Sequence, residues 1–92
     1  MSVDVLISGL ERSASMQVET AVRRTFRQAR SEGTPIQGDW NVALLPSDRD
    51  GRWDLGVNGP SGWYITWFDA AVEELAVRVE EQVRKRLNFQ SA

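Results

Sequence analysis

The stretch Asp69 to Leu87, DAAVEELAVRVEEQVRKRL, leaves little freedom in local structure. Its apolar residues Val72, Leu75, Ala76, Val79, Val83 and Leu87 fall at steps of three and four, which lines one face of an α-helix. Asp69 occupies the expected N-cap position, Glu73 and Glu74 sit in the first turns, and Arg84, Lys85 and Arg86 crowd the last, so charges at both ends complement the helix dipole. At about 100° per residue, Arg78 and Lys85 share one flank of the apolar stripe with Gln82 between them. Glu73, Glu80 and Arg84 take the other flank. Such a helix must bury its stripe against other elements, and it offers them a basic surface on one side only.

The chain has 92 residues, which predicts one domain spanning 1–92 with a single core. Its composition, 41% hydrophobic and 26% charged, is that of an ordinary globular protein. No apolar run approaches the ~20 residues of a membrane span, and the start MSVDVLISG lacks the basic residue of a signal peptide, so no membrane association and a cytoplasmic location are expected. Histidine and cysteine are both absent, which removes zinc sites and the usual activated nucleophiles. Asp48, Asp50 and Asp54 lie in or beside a loop but lack a calcium-loop ligand series, and no substrate can be assigned to them. The chain therefore reads as a non-enzyme with no metal and no cofactor.

Net charge is −2, unfavourable for a nucleic-acid binder, but its distribution is uneven. Arg12 to Arg30 carries five arginines against Glu19 alone, whereas Asp39 to Asp54 carries four acids against two arginines. Ten of the eleven basic residues are arginine, the cation suited to bidentate phosphate contact.

Ahead of the Asp69 helix, Val3, Val5 and Ile7 alternate in a strand from Val3 to Ser8 that Gly9 ends. A helix follows, with Ser13 or Ser15 as N-cap and Val18, Val22, Thr25, Phe26 and Ala29 as its stripe up to about Ser31. Gly33 stands at C′ and Pro35 just beyond. On this helix Arg23, Arg27 and Arg30 share one flank, and Arg24 points nearly opposite the core. Solvated surface side chains would look the same. Three strands complete the chain: Trp40 to Leu45, Trp53 to Val57 after a Pro46–Gly51 loop, and Trp63 to Phe68 after an Asn58–Gly62 turn. The last is apolar on both faces. If Trp40, Trp53, Trp63 and Trp67 all point toward the helices, then Leu6, Leu45, Tyr64 and Phe68 lie on an open sheet face, where they would stack bases or bury themselves against a second copy. Self-association is preferred, because the accompanying charge is acidic.

The order of elements and several short motifs resemble the ribosome hibernation-promoting factors, the family of ribosome-associated inhibitor A. Ile7-Ser8-Gly9 matches an I-T-G-like triplet, and Ser15 falls where the family's helix-starting Thr stands. Val18, Val22 and Phe26 occupy its spaced apolar positions. Val57-Asn58-Gly59 matches a V-N-G-like turn, and Phe68-Asp69-Ala70-Ala71-Val72-Glu73 resembles the aromatic and A-A-I-D start of the last helix. The resemblance implies an α+β fold, β-α-β-β-β-α, in which a four-stranded sheet carries two roughly parallel helices on one face, related to double-stranded-RNA-binding domains. It also implies a partner, the small ribosomal subunit, whose RNA is contacted by basic residues of both helices. Arg78 and Lys85 match basic positions of that pattern. Glu81, Thr25 and Gln28 stand where basic residues are usual, with Arg23, Arg24, Arg27 and Arg30 supplying charge at neighbouring positions.

Two functional readings follow. In the first, the chain binds ribosomal RNA through Arg23, Arg24, Arg27, Arg30, Arg78 and Lys85. The basic flanks of the two helices converge on a shared groove in one lateral order of the helices and diverge to the outer edges in the other. In the second, the chain is a protein-interaction module that self-associates, as a homodimer, or binds a protein partner through Leu6, Leu45, Tyr64 and Phe68.

Overall fold

The computed structural model describes residues 2–91, with side chains described through residue 88. The elements run β1 (Ser2–Ile7), α1 (Arg12–Ser31), β2 (Asp39–Pro46), β3 (Arg52–Gly59), β4 (Gly62–Asp69), a 3₁₀ turn (Val72–Glu74) and α2 (Leu75–Ser91). This is the α+β architecture, β-α-β-β-β-α, that the sequence predicts. The sheet order is β1-β2-β3-β4, with β1 parallel to β2 across the α1 connection and the other pairs antiparallel. Both helices cover one face. They run parallel, since Arg24 meets Glu80 and Gln28 meets Arg84 one turn further along each helix.

The helix ends follow local chemistry only in part. Gly33, at φ +91°, closes α1, its N–H donating to Arg30 O while the Thr34 N–H reaches back to Ala29 O. At the other end α1 starts at Arg12 with Glu11 as cap and no side-chain cap bond, and Ser13 donates to the Glu11 carboxylate instead. Asp69 does not cap the final helix. It ends β4, paired with Arg52 of β3, and helical structure begins three residues later, where the Glu74 carboxylate accepts the Ala71 N–H at 3.4 Å.

The core is the sandwich between sheet and helices. Val18, Val22 and Phe26 of α1 and Leu75, Val79, Val83 and Leu87 of α2 close over Trp40, Val42 and Leu44 of β2 and Trp53, Leu55 and Val57 of β3. Trp40 is 0% exposed and stands edge-on to Phe26 at 5.5 Å. Its indole lies where a Cβ at Gly59 would come within 2.6 Å, so the end of β3 accepts the ring only because that residue carries no side chain.

Only two of the four tryptophans point inward. Trp63 and Trp67 are 59% and 57% exposed on the open face, while Tyr64 and Phe68 turn toward the helices, Phe68 being 4% exposed. Both expectations for β4 are thereby corrected. The pairing with β3 decides the matter: Tyr64 is registered with Val57 and Phe68 with Trp53, both core residues, whereas Trp63 and Trp67 oppose Asn58 and Asp54. β4 is apolar on both faces, so its partner's polarity selects the side.

Candidate nucleic-acid interface

At about 100° per residue, Arg23, Arg27 and Arg30 project from the flank of α1 that overhangs β1. Arg23 is pinned there, its Nη1 donating to Val3 O at 2.9 Å and its Nε pairing with Glu19 at 3.1 Å. With Val3 and Phe26 the three arginines line an open cleft of about 280 Å³. The side chains of Arg27 and Arg30 are exposed and make no hydrogen bond or ion pair among the described residues, so their guanidinium donors remain available. A cationic rim over an apolar floor is a surface a phosphate backbone can follow.

Arg24 does not point away from the body of the protein. Its Nη2 sits 2.9 Å from Glu80 of α2, and Arg84 bridges Glu80 at 3.8 Å, Glu32 at 3.6 Å and Gln28 at 3.0 Å. The seam between the helices is thus a ladder of two arginines and two glutamates with no net charge. It leaves no basic groove there.

Arg78 and Lys85 lie on the far side of α2. Arg78 donates to the Asp69 carbonyl at 3.3 Å and sits 5.4 Å from the Phe68 ring, which fixes this flank against β4. Seven residues on, Lys85 is exposed on the same flank. The arginine flank of α1 and this flank therefore diverge to opposite edges, as the second lateral order requires. Among the six basic residues singled out in the sequence, the structure brings Arg23, Arg27 and Arg30 together and separates them from Arg24, Arg78 and Lys85.

On the open face Leu6 and Leu45 are exposed. Leu6, Ala43, Gly56 and Ile65 form one registered row across all four strands, bordered by Trp63 and Trp67. The Arg52 guanidinium stacks on Trp67 at 3.8 Å and pairs with Asp69 at 3.1 Å. The Arg52 hydrogen bond holds the Asp69 carboxyl below its ordinary value, with the charges of Arg52, Arg49 and Arg78 adding to the effect. Sequence reasoning passed over Arg52, whose signal was a carboxylate, Asp69, registered opposite it on the next strand with Trp67 at the diagonal position. It also passed over Arg86, an arginine seven residues after Val79 and so on the core stripe.

Among the described residues no group of three or more acidic side chains is placed to hold a metal ion, and no helix is long and apolar enough to cross a membrane. No family model and no curated protein matches the sequence. Similarity appears among solved structures. A ribosomal subunit interface protein from Coxiella burnetii superposes with a TM-score of 0.60 at 10% identity, over 98% of this chain and 97% of that one. The N-terminal domain of Thermus thermophilus Protein Y gives a TM-score of 0.48 at 20% identity, over 94% of this chain and 99% of that one. From end to end, this chain has the β-α-β-β-β-α fold of the ribosome hibernation-promoting factors that its motif order resembles.

Proposed function

We propose that this protein associates with the ribosome and docks, without catalysis, on small-subunit ribosomal RNA through the arginine flank of α1. The observation that carries this reading is the convergence of Arg23, Arg27 and Arg30 on one cleft, with the donors of Arg27 and Arg30 unpaired among the described residues. The fold it shares with a ribosomal subunit interface protein supports the choice of partner. Docking from one flank departs from the expectation that the basic flanks of both helices take part, because the two flanks lie on opposite edges and the seam between the helices is charge-neutral. Such binding releases counterions and weakens with salt. The protein should co-sediment with purified small subunits at low salt and be lost steeply as salt rises; absence from the pellet at low salt overturns the reading.

A second reading, self-association through the open sheet face, is favoured by the exposure of Ile65 (74%) beside Trp63, Trp67, Leu6 and Leu45. Contiguous exposed apolar surface on a small domain marks an interaction site. Sedimentation equilibrium over a wide concentration range should show a reversible dimer with quenched or blue-shifted tryptophan fluorescence. A monomer throughout would remove this reading. The two surfaces lie on different faces, so the readings do not exclude each other.

A further inference from the structure

Arg86 is 6% exposed, yet among the described residues it has no carboxylate partner. Its Nη2 donates to Ser61 Oγ at 2.9 Å and to Gly62 O at 3.3 Å, its guanidinium stands 5.8 Å from the Trp40 ring, and its Nε, fully buried, has no hydrogen-bond partner among the described residues. A buried cation held only by neutral oxygens and a ring bears the cost of desolvation without a counter-charge. The same side chain lines an open cleft of about 240 Å³ with Ser61, Trp63 and Tyr64 at the β3–β4 turn. This cleft lies across the molecule from the arginine flank of α1. Among the described residues, it is room for a ligand at the one place where an unbalanced positive charge is buried.

We propose that this cleft is a phosphate-binding site in which Arg86 is the counter-ion. A phosphate oxygen in the cleft accepts from the guanidinium, which supplies the missing negative charge and a charge-assisted hydrogen bond. The oxygens already held by Nη2 fix the guanidinium plane, so the donor is oriented before the ligand arrives. Trp63, exposed and lying over Gly56, leaves a π-face beside the cleft. A nucleotide would use that face for its base, whereas free phosphate would not.

The test is a titration of the full chain with inorganic phosphate against sodium chloride at equal ionic strength, followed by the Arg86 Nε–H resonance and the Ser61 and Gly62 amides in ¹⁵N-correlated spectra. A saturable shift of these signals is expected, with a rise in Tm in phosphate over chloride. In R86M, where an apolar chain of similar length replaces the buried charge, the amide shifts and the Tm rise should both be lost. R86K keeps a cation but not the fork and should bind more weakly, which covers the case in which R86M does not fold. In R27Q/R30Q the shifts should persist. Adenosine 5′-monophosphate binding more tightly than phosphate, with that excess lost in W63L, identifies a nucleotide as the source, and equal binding identifies free phosphate. An unmoved Arg86 resonance throughout the titration overturns the proposal, as do shifts that survive in R86M or vanish in R27Q/R30Q.

Discussion

Trp40→Ala is expected to lower the free energy of unfolding by about 3–5 kcal/mol, the range for deleting a large buried aromatic side chain. A domain of this size has only about 5–15 kcal/mol in total, so the variant should stand close to its unfolding threshold at 25 °C. The size of the effect follows from what the ring touches. Trp40 is fully buried on β2, meets Phe26 of α1 edge-on and lies across the bare backbone of Gly59 at the end of β3. Arg86 of α2 borders it on a further side, so both helices and two strands share this one side chain. The Nε1–H is also satisfied, donating to Gln37 O at 3.1 Å, and the bond anchors the loop entering β2. On the β3 side the ring lies against Gly59, which has no side chain to fill the space that alanine would leave. Urea denaturation would show the loss as a lower midpoint at unchanged slope. A fall of less than about 1 kcal/mol would mean that the site collapses to fill the cavity, contrary to the close packing described.

What could be read in the sequence, and what could not, divides along a physical line. The stripes of both helices were legible because the pattern is local: Val18, Val22 and Phe26, like Val79, Val83 and Leu87, need only the period of the helix to be placed on one face. The glycine that closes α1 was legible for the same reason. Features settled by a partner distant in sequence were not. Asp69 has the side chain of an N-cap, but Arg52, seventeen residues earlier, claims it for the strand. Trp63 and Tyr64 are equally suited to a core, and Val57 and Asn58 on the neighbouring strand assign them to opposite faces. Arg24 looked solvent-facing on its own helix, and Glu80, fifty-six residues on, draws it into the seam. The arginine cleft was half legible: the shared flank of Arg23, Arg27 and Arg30 follows from spacing alone. Which side of that flank α2 occupies depends on the lateral order of the helices. Arg86 was hidden by its own terminal position, where a cation is expected for the sake of the helix dipole, although its spacing from Val79 places it on the buried stripe.

The divergence of the two basic flanks makes one substitution pair decisive for ribosome docking. R27Q/R30Q should reduce the slope of log affinity against log salt by about two units, one for each phosphate that is no longer neutralised. A charge-assisted hydrogen bond is worth about 1.5–3 kcal/mol, so low-salt affinity for small subunits should fall by roughly tenfold or more per arginine. These two residues give a clean comparison because both are exposed and neither has a partner among the described residues, so their removal costs the fold little. Arg23 is less suitable: its bond to Val3 O ties α1 to β1, and replacing it would mix docking with stability. R78Q/K85Q removes the same formal charge from the opposite edge of the helical layer. On a surface that docks through α1 alone, it should leave the salt slope unchanged and cost only the weak, screened attraction of two distant charges. Equal reductions in the two double variants would require the RNA to reach both edges at once, and docking through the α1 flank would then be wrong. A reduction in R78Q/K85Q alone would move the docking surface to the α2–β4 edge, where Arg78 is already engaged with the Asp69 carbonyl and Lys85 is the cation left to meet the RNA.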